Sequence, residues 1–214
     1  MAKEAINAPY EIQPMGLLSS LLSDFREAGG VIDYVLIGGM FPAEFADVYA
    51  FHRQAAGFTL EAATARYPRS SIVGPTSWRE PEKAEGKQIM PADFFAPGYL
   101  GLPFELDRNL FQKEQKRFRL EPDKSMTSWG KYYSAFSHPP YTLSGPYDPD
   151  NDKWFSTINY ELFGDDGEAL TIYEWSTARA DYFNAGHEWW GSSLWTVYSE
   201  QTQWLVGIAA LASD

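Results

Sequence analysis

Residues Trp189 to Ala212 read "WWGSSLWTVYSEQTQWLVGIAALA", two apolar stretches separated by a short polar break at "EQ". Both stretches are too short and too rich in aromatic and β-branched residues for long helices, and the break between them suits a turn, so the segment predicts a β-hairpin. In a strand beginning near Trp189, Trp189, Ser193, Trp195 and Val197 point to one side, while Trp190, Ser192, Leu194, Thr196 and Tyr198 point to the other. Both faces carry rings. Either both pack inside the fold, or one meets helices and the other presents aromatic surface to a partner.

Upstream, "WFSTINYELF" (154–163) and "EALTIYEW" (168–175) flank "GDDG", whose Asp-Gly pair suits a second hairpin. Between the two hairpins, "STARADYFNAG" is expected to hold a helical turn or two.

The N-terminal half has a different texture. "GLLSSLLSDFREAGG" places Leu17, Leu18, Leu21, Leu22 and Phe25 at helical spacing and stops at Gly29-Gly30. "VIDYVLI" follows as a buried strand. "FPAEFADVYAFHRQAAG" reads as a helix with Pro42 in its first turn and Gly57 as its stop, and Thr59 caps a further short helix through Tyr67. Six of the fourteen prolines lie between Pro68 and Phe104, which predicts a long irregular segment on the surface or a functional loop. "ELDRNLFQKEQKRFRL" (105–120) reads as a helix whose Lys113, Lys116 and Arg117 form a basic face that Arg119 extends.

These elements predict an α+β fold, a mainly helical N-terminal half packed on a mainly antiparallel C-terminal sheet. At 214 residues one domain, 1–214, is expected, the alternative being a mainly helical part over 1–120 and a mainly sheet part over 151–214.

Composition narrows the chemistry. The chain has no cysteine, so disulfides, thiolate zinc sites and cysteine nucleophiles are excluded. Its first residues hold no long apolar run, and its longest apolar runs fall well short of the roughly 20 residues that span a bilayer, so no membrane association and a cytoplasmic location are expected. Net charge is −12, of which the stretch from Tyr160 onward holds −8: nine acids against Arg179 alone. Such a field opposes direct nucleic-acid binding and attracts a basic protein.

Motifs for catalysis or metal binding are incomplete. Asp148, Asp150 and Asp152 in "YDPDNDKW" repeat the first ligand positions of a calcium loop, but Lys153 stands where that loop turns on glycine and Asn159 where it ends on glutamate. Gly38-Gly39 lacks both the third glycine of a dinucleotide fingerprint and the Lys-Ser/Thr of a P-loop. The three histidines, His52, His138 and His187, form no zinc-binding spacing, and Gly191-Ser192-Ser193 is not a nucleophile elbow. No cofactor is expected.

Three functions fit this pattern. The leading one is an acidic, aromatic-rich binding protein, most concretely an immunity-type inhibitor of a basic toxin or nuclease, with Glu174, Asp181, Glu188, Trp190 and Tyr198 as binding residues. The second is a carboxylate/histidine-dependent hydrolase using Glu174, His187 and Glu188. The third is a structural or assembly protein of a phage or secretion system, in which the aromatic face forms an oligomer interface. Oligomeric state is not encoded in any of these features.

Overall fold

The computed structural model describes residues 8–66, 84–95, 130–137, 149–178, 180–183 and 191–211. Its centre is a six-stranded sheet, all of whose pairings are antiparallel. In chain order the strands are β1 (Tyr10–Ile12), β2 (Ile32–Gly38), β3 (Gly86–Ile89), β4 (Leu170–Trp175), β5 (Ser192–Ser199) and β6 (Leu205–Leu211), and in space they run β1-β2-β6-β5-β4-β3. Helices are α1 (Gly16–Glu27), α2 (Val48–Ala65), α3 (Pro91–Phe94), α4 (Lys131–Ser137) and α5 (Pro149–Phe163). The α+β class holds, with N-terminal helices packed on an antiparallel sheet, and residues 10–89 also contribute three of its strands.

Antiparallel sheets commonly leave one face to water. Here the three central strands are covered on both sides, which is why "VIDYVLI" and "LVGIAAL" are almost continuously apolar. On one face Tyr34, Leu36, Trp195, Val197, Val206 and Ile208 meet Phe25 of α1, Phe94 of α3, Tyr132 and Phe136 of α4 and Phe155, Ile158 and Leu162 of α5. Rings dominate this layer: Phe25 stacks on Phe136 at 4.3 Å, and Phe94 stacks on Tyr132 at 4.5 Å while its edge meets Trp195 at 5.6 Å. The opposite face lies under α2 and the 180–183 segment. Trp195, which alternation alone left between packing and a partner surface, is fully buried, as are Leu194 and Thr196 on the other side of the same strand.

Helix α2 runs unbroken through the positions read as its end. Phe51, His52, Ala55, Ala56, Thr59, Leu60, Ala63 and Thr64 are buried, a stripe advancing by four and one that keeps one side on the sheet for the whole length. Gly57 therefore sits inside the helix, and Thr59, instead of capping a new one, donates its hydroxyl to Ala55 O at 2.7 Å. Below Thr59 is Gly207 of β6, where any Cβ would fall on the threonine side chain. A glycine at that point lets helix and sheet close on each other.

The hairpin expected around "GDDG" is also corrected. "WFSTINYELF" belongs to α5, because Phe155, Ile158 and Leu162 at i, i+3 and i+7 form one buried side. The helix ends at Gly164 with φ 78°, and "DDG" leads through a 3-10 turn at Gly167–Ala169 into β4. The hairpin expected over 189–212 is present as β5–β6, with Trp195 opposite Ile208; β5 begins at Ser192, and Trp204 lies partly buried just before β6. The proline-rich stretch is not wholly irregular, since it supplies edge strand β3 and buries Phe94 and Phe95. The 113–119 basic face lies outside the described residues.

Candidate functional site

The polar groups that could carry chemistry collect on the α2 face of the sheet, in two clusters and at one corner. The first cluster is set by the helical stripe, which drops His52 from the second turn of α2 onto β5. Its Nδ1 is 2.8 Å from Thr196 Oγ1, and the same hydroxyl oxygen accepts from Trp175 Nε1 at 2.9 Å. Tyr173 lies tilted over the imidazole at 4.7 Å and stacks along the strand on Trp175. The Trp175 ring extends over Gly86 of β3, where a Cβ would collide with it. Tyr49 seals the edge, donating to Ala84 O at 3.0 Å and accepting from Gly86 N–H at 3.3 Å.

Burial holds the His52 pKa down to about 3, so the ring is neutral at physiological pH. Its Nε2 has no hydrogen-bond partner, and among the described residues no carboxylate bonds to the imidazole. A histidine that neither gains a proton near pH 7 nor touches an acid is unsuited to general acid or base work. The cluster is a polar lock between α2 and β5.

In the second cluster, Asp33 on β2 is 3% exposed and accepts from Arg66 Nη1 at 2.9 Å and from the Tyr182 hydroxyl at 2.8 Å. Arg66, just beyond α2, also donates to Glu11 of β1 and to Tyr34 O. Arg26 stands 4.0 Å from Asp33. One guanidinium thus ties β1, β2 and α2, and both Asp33 oxygens are occupied, which satisfies the burial of its charge and leaves no free base. Across the sheet, Tyr34 and Tyr132 share a hydroxyl bond of 2.7 Å, and burial raises the Tyr34 pKa above its ordinary value, so it stays a neutral phenol.

The corner is the connection from β2 to α2. Glu44 accepts from Phe41 N–H at 3.2 Å, and Asp47 caps α2 by accepting from Ala50 N–H at 2.7 Å. Both carboxylates are exposed, as are Phe41 (57%) and Val48 (46%).

The candidate residues from the sequence are dispersed. Glu174 is on β4 opposite Trp195, hence on the helix α4 side, where Lys131 Nζ donates to it at 2.6 Å. Tyr198 is half-buried on the α2 side, with its ring edge-on to Phe51 at 5.6 Å and its hydroxyl donating to Gln203 at 3.0 Å. These two residues occupy opposite faces of the sheet and share no patch. Asp181 lies in a 3-10 turn, with its side chain outside the description, and Asp150 and Asp152 lie in the first turn of α5 on the same terms. Asp148, His187, Glu188 and Trp190 fall outside the described residues. Sequence reasoning passed over Phe41, whose signal was an aromatic residue lying ahead of the buried stripe of α2.

No family model, curated protein or solved structure matches this chain. Its function must be read from its own surface. Among the described residues, no three His, Asp or Glu side chains gather as a metal-binding group, and no helix is long and apolar enough to cross a membrane.

Proposed function

We propose that this protein is a non-enzymatic, acidic binding protein, most concretely an immunity-type inhibitor that engages a basic toxin or nuclease in the cytoplasm. One observation supports this above the others: the imbalance of exposed charge. Among the described residues ten carboxylates are exposed, Asp24, Glu27, Glu44, Asp47, Glu61, Glu85, Asp93, Asp165, Asp166 and Glu200, against Arg26, Arg53, Lys87 and Lys131. The charged groups inside are consumed by one another, Asp33 and Glu11 by Arg66, so the surplus faces solvent. A surplus of one sign speeds encounter with a cationic partner and repels nucleic acid.

The hydrolase alternative rests on Glu174 with His187 and Glu188. Glu174 is held by Lys131 on the side of the sheet away from His52, an arrangement that favours a structural ion pair over a free catalytic carboxylate. The test is capture of partners from the native host by the immobilised full chain, followed by titration of the purified captured protein and assay of its activity. A basic protein that binds in fixed stoichiometry and loses its activity is expected. Only neutral or acidic partners, or a complex that leaves the partner fully active, would overturn inhibition as the function.

A further inference from the structure

We infer that the β2–α2 corner, residues 40–48, is the docking surface and that its occupant is a basic protein segment presenting an apolar side chain between lysines or arginines. This rests on the acidic binding reading and names the surface through which it acts.

The corner is held rigidly from beneath. Met40 is 4% exposed, and Phe45 packs edge-on against buried Phe51 at 5.3 Å, so the chain between them is anchored to the core below β2 and α2. What it turns outward is apolar. Phe41 and Val48 are exposed, and so are Ala43 and Ala46 between them. An exposed ring on a pinned loop loses little freedom when a partner covers it, and that is the property of an interface anchor.

Charge selects the occupant. The carboxylates of Glu44 and Asp47 alternate with the apolar residues along the chain, and each accepts one backbone amide through one oxygen, while its second oxygen makes no hydrogen bond among the described residues. Residues 40–52 contain no lysine or arginine, the next being Arg53. A cationic segment can place ammonium or guanidinium groups on those free oxygens while its apolar side chain meets Phe41 and Val48. A second copy of this chain, itself carrying −12, and an anionic lipid surface are both opposed by the same charge.

The probe is a short synthetic peptide with tryptophan and leucine between lysines, titrated into the isotope-labelled full chain and followed by amide resonances. Controls are an oligolysine of equal charge and the same peptide with glutamate for lysine. Saturable shifts at residues 40–48 are expected. Phe41→Ser with Val48→Ser, and separately Glu44→Gln with Asp47→Asn, which keep both cap bonds, should each weaken binding about tenfold or more. The idea is overturned by shifts elsewhere or nowhere, by equal binding of oligolysine, or by variants that bind like wild type. Self-association that Phe41→Ser abolishes would also overturn it, assigning the patch to a second copy. Against a basic partner obtained by capture, unchanged affinity of the corner variants sinks the corner and spares the binding reading. Failure to find any basic partner sinks the binding reading itself.

Discussion

Lowering the pH from 7 to 5 should destabilise the protein through His52 in a way its replacement removes. In the fold the imidazole is buried with a pKa of about 3, whereas in the unfolded chain it returns to about 6.5. A depressed histidine contributes stability that is complete above the unfolded value and is lost as pH falls, because the unfolded state then binds the proton that the folded state refuses. Between pH 7 and 5 the unfolded chain becomes almost fully protonated at this site while the fold does not, a difference of about 2 kcal/mol. The loss continues toward pH 3 at about 1.4 kcal/mol per unit. Titrating carboxylates add slopes of their own, so the measurement is a comparison: urea unfolding followed by tryptophan fluorescence at several pH values, for wild type and His52→Asn. The asparagine amide preserves a polar contact to Thr196 and cannot titrate. The wild-type curve should fall below the variant's by about 2 kcal/mol more at pH 5 than at pH 7. Parallel curves would show that His52 is not a buried neutral group, and the contact of α2 with β5 would be wrong.

Gly207→Ala should destabilise by about 1–3 kcal/mol because its Cβ falls on Thr59, and Thr59→Gly in the same chain should recover part of that loss in a thermal melt. Trp195→Ala removes a fully buried ring flanked by Phe94 and Tyr132 and should cost about 3–5 kcal/mol or prevent soluble expression. Tyr182→Phe deletes one of the two partners that hold Asp33 at its two oxygens and should cost about 1 kcal/mol by urea unfolding. Glu174→Gln should leave the melting temperature almost unchanged, since its partner Lys131 is mostly exposed and such pairs contribute under about 1 kcal/mol.

The parts of the fold legible in the sequence were those where one local signal had no competitor. "VIDYVLI" and "WLVGIAAL" are apolar in runs of strand length, and both are strands. Helix α5 was obscured because Thr157, Ile158 and Tyr160 favour strands, and Asp-Gly in "GDDG" imitates a hairpin turn, while the decisive 3.6-residue spacing of Phe155, Ile158 and Leu162 is only three residues strong. Gly57 looked like a stop for α2 since its helix cost is about 1 kcal/mol, and the buried stripe on either side outweighs that. For the candidate site the limit is distance along the chain. His52 meets Thr196 144 residues away, and Asp33 meets Tyr182 149 residues away, pairings that no local pattern encodes. Sequence alone groups Glu174 and Tyr198 as acid and ring of one sheet, and only the register, which sets them on opposite faces, separates them.

The acidic surface is tested most directly by the association rate with the captured basic partner, measured by stopped flow at low and at physiological ionic strength. If the exposed carboxylates steer encounter, the association rate should fall by about tenfold or more as salt shortens the screening length, with dissociation much less affected. An association rate that is the same at both ionic strengths would contradict a surface built to attract a cationic protein.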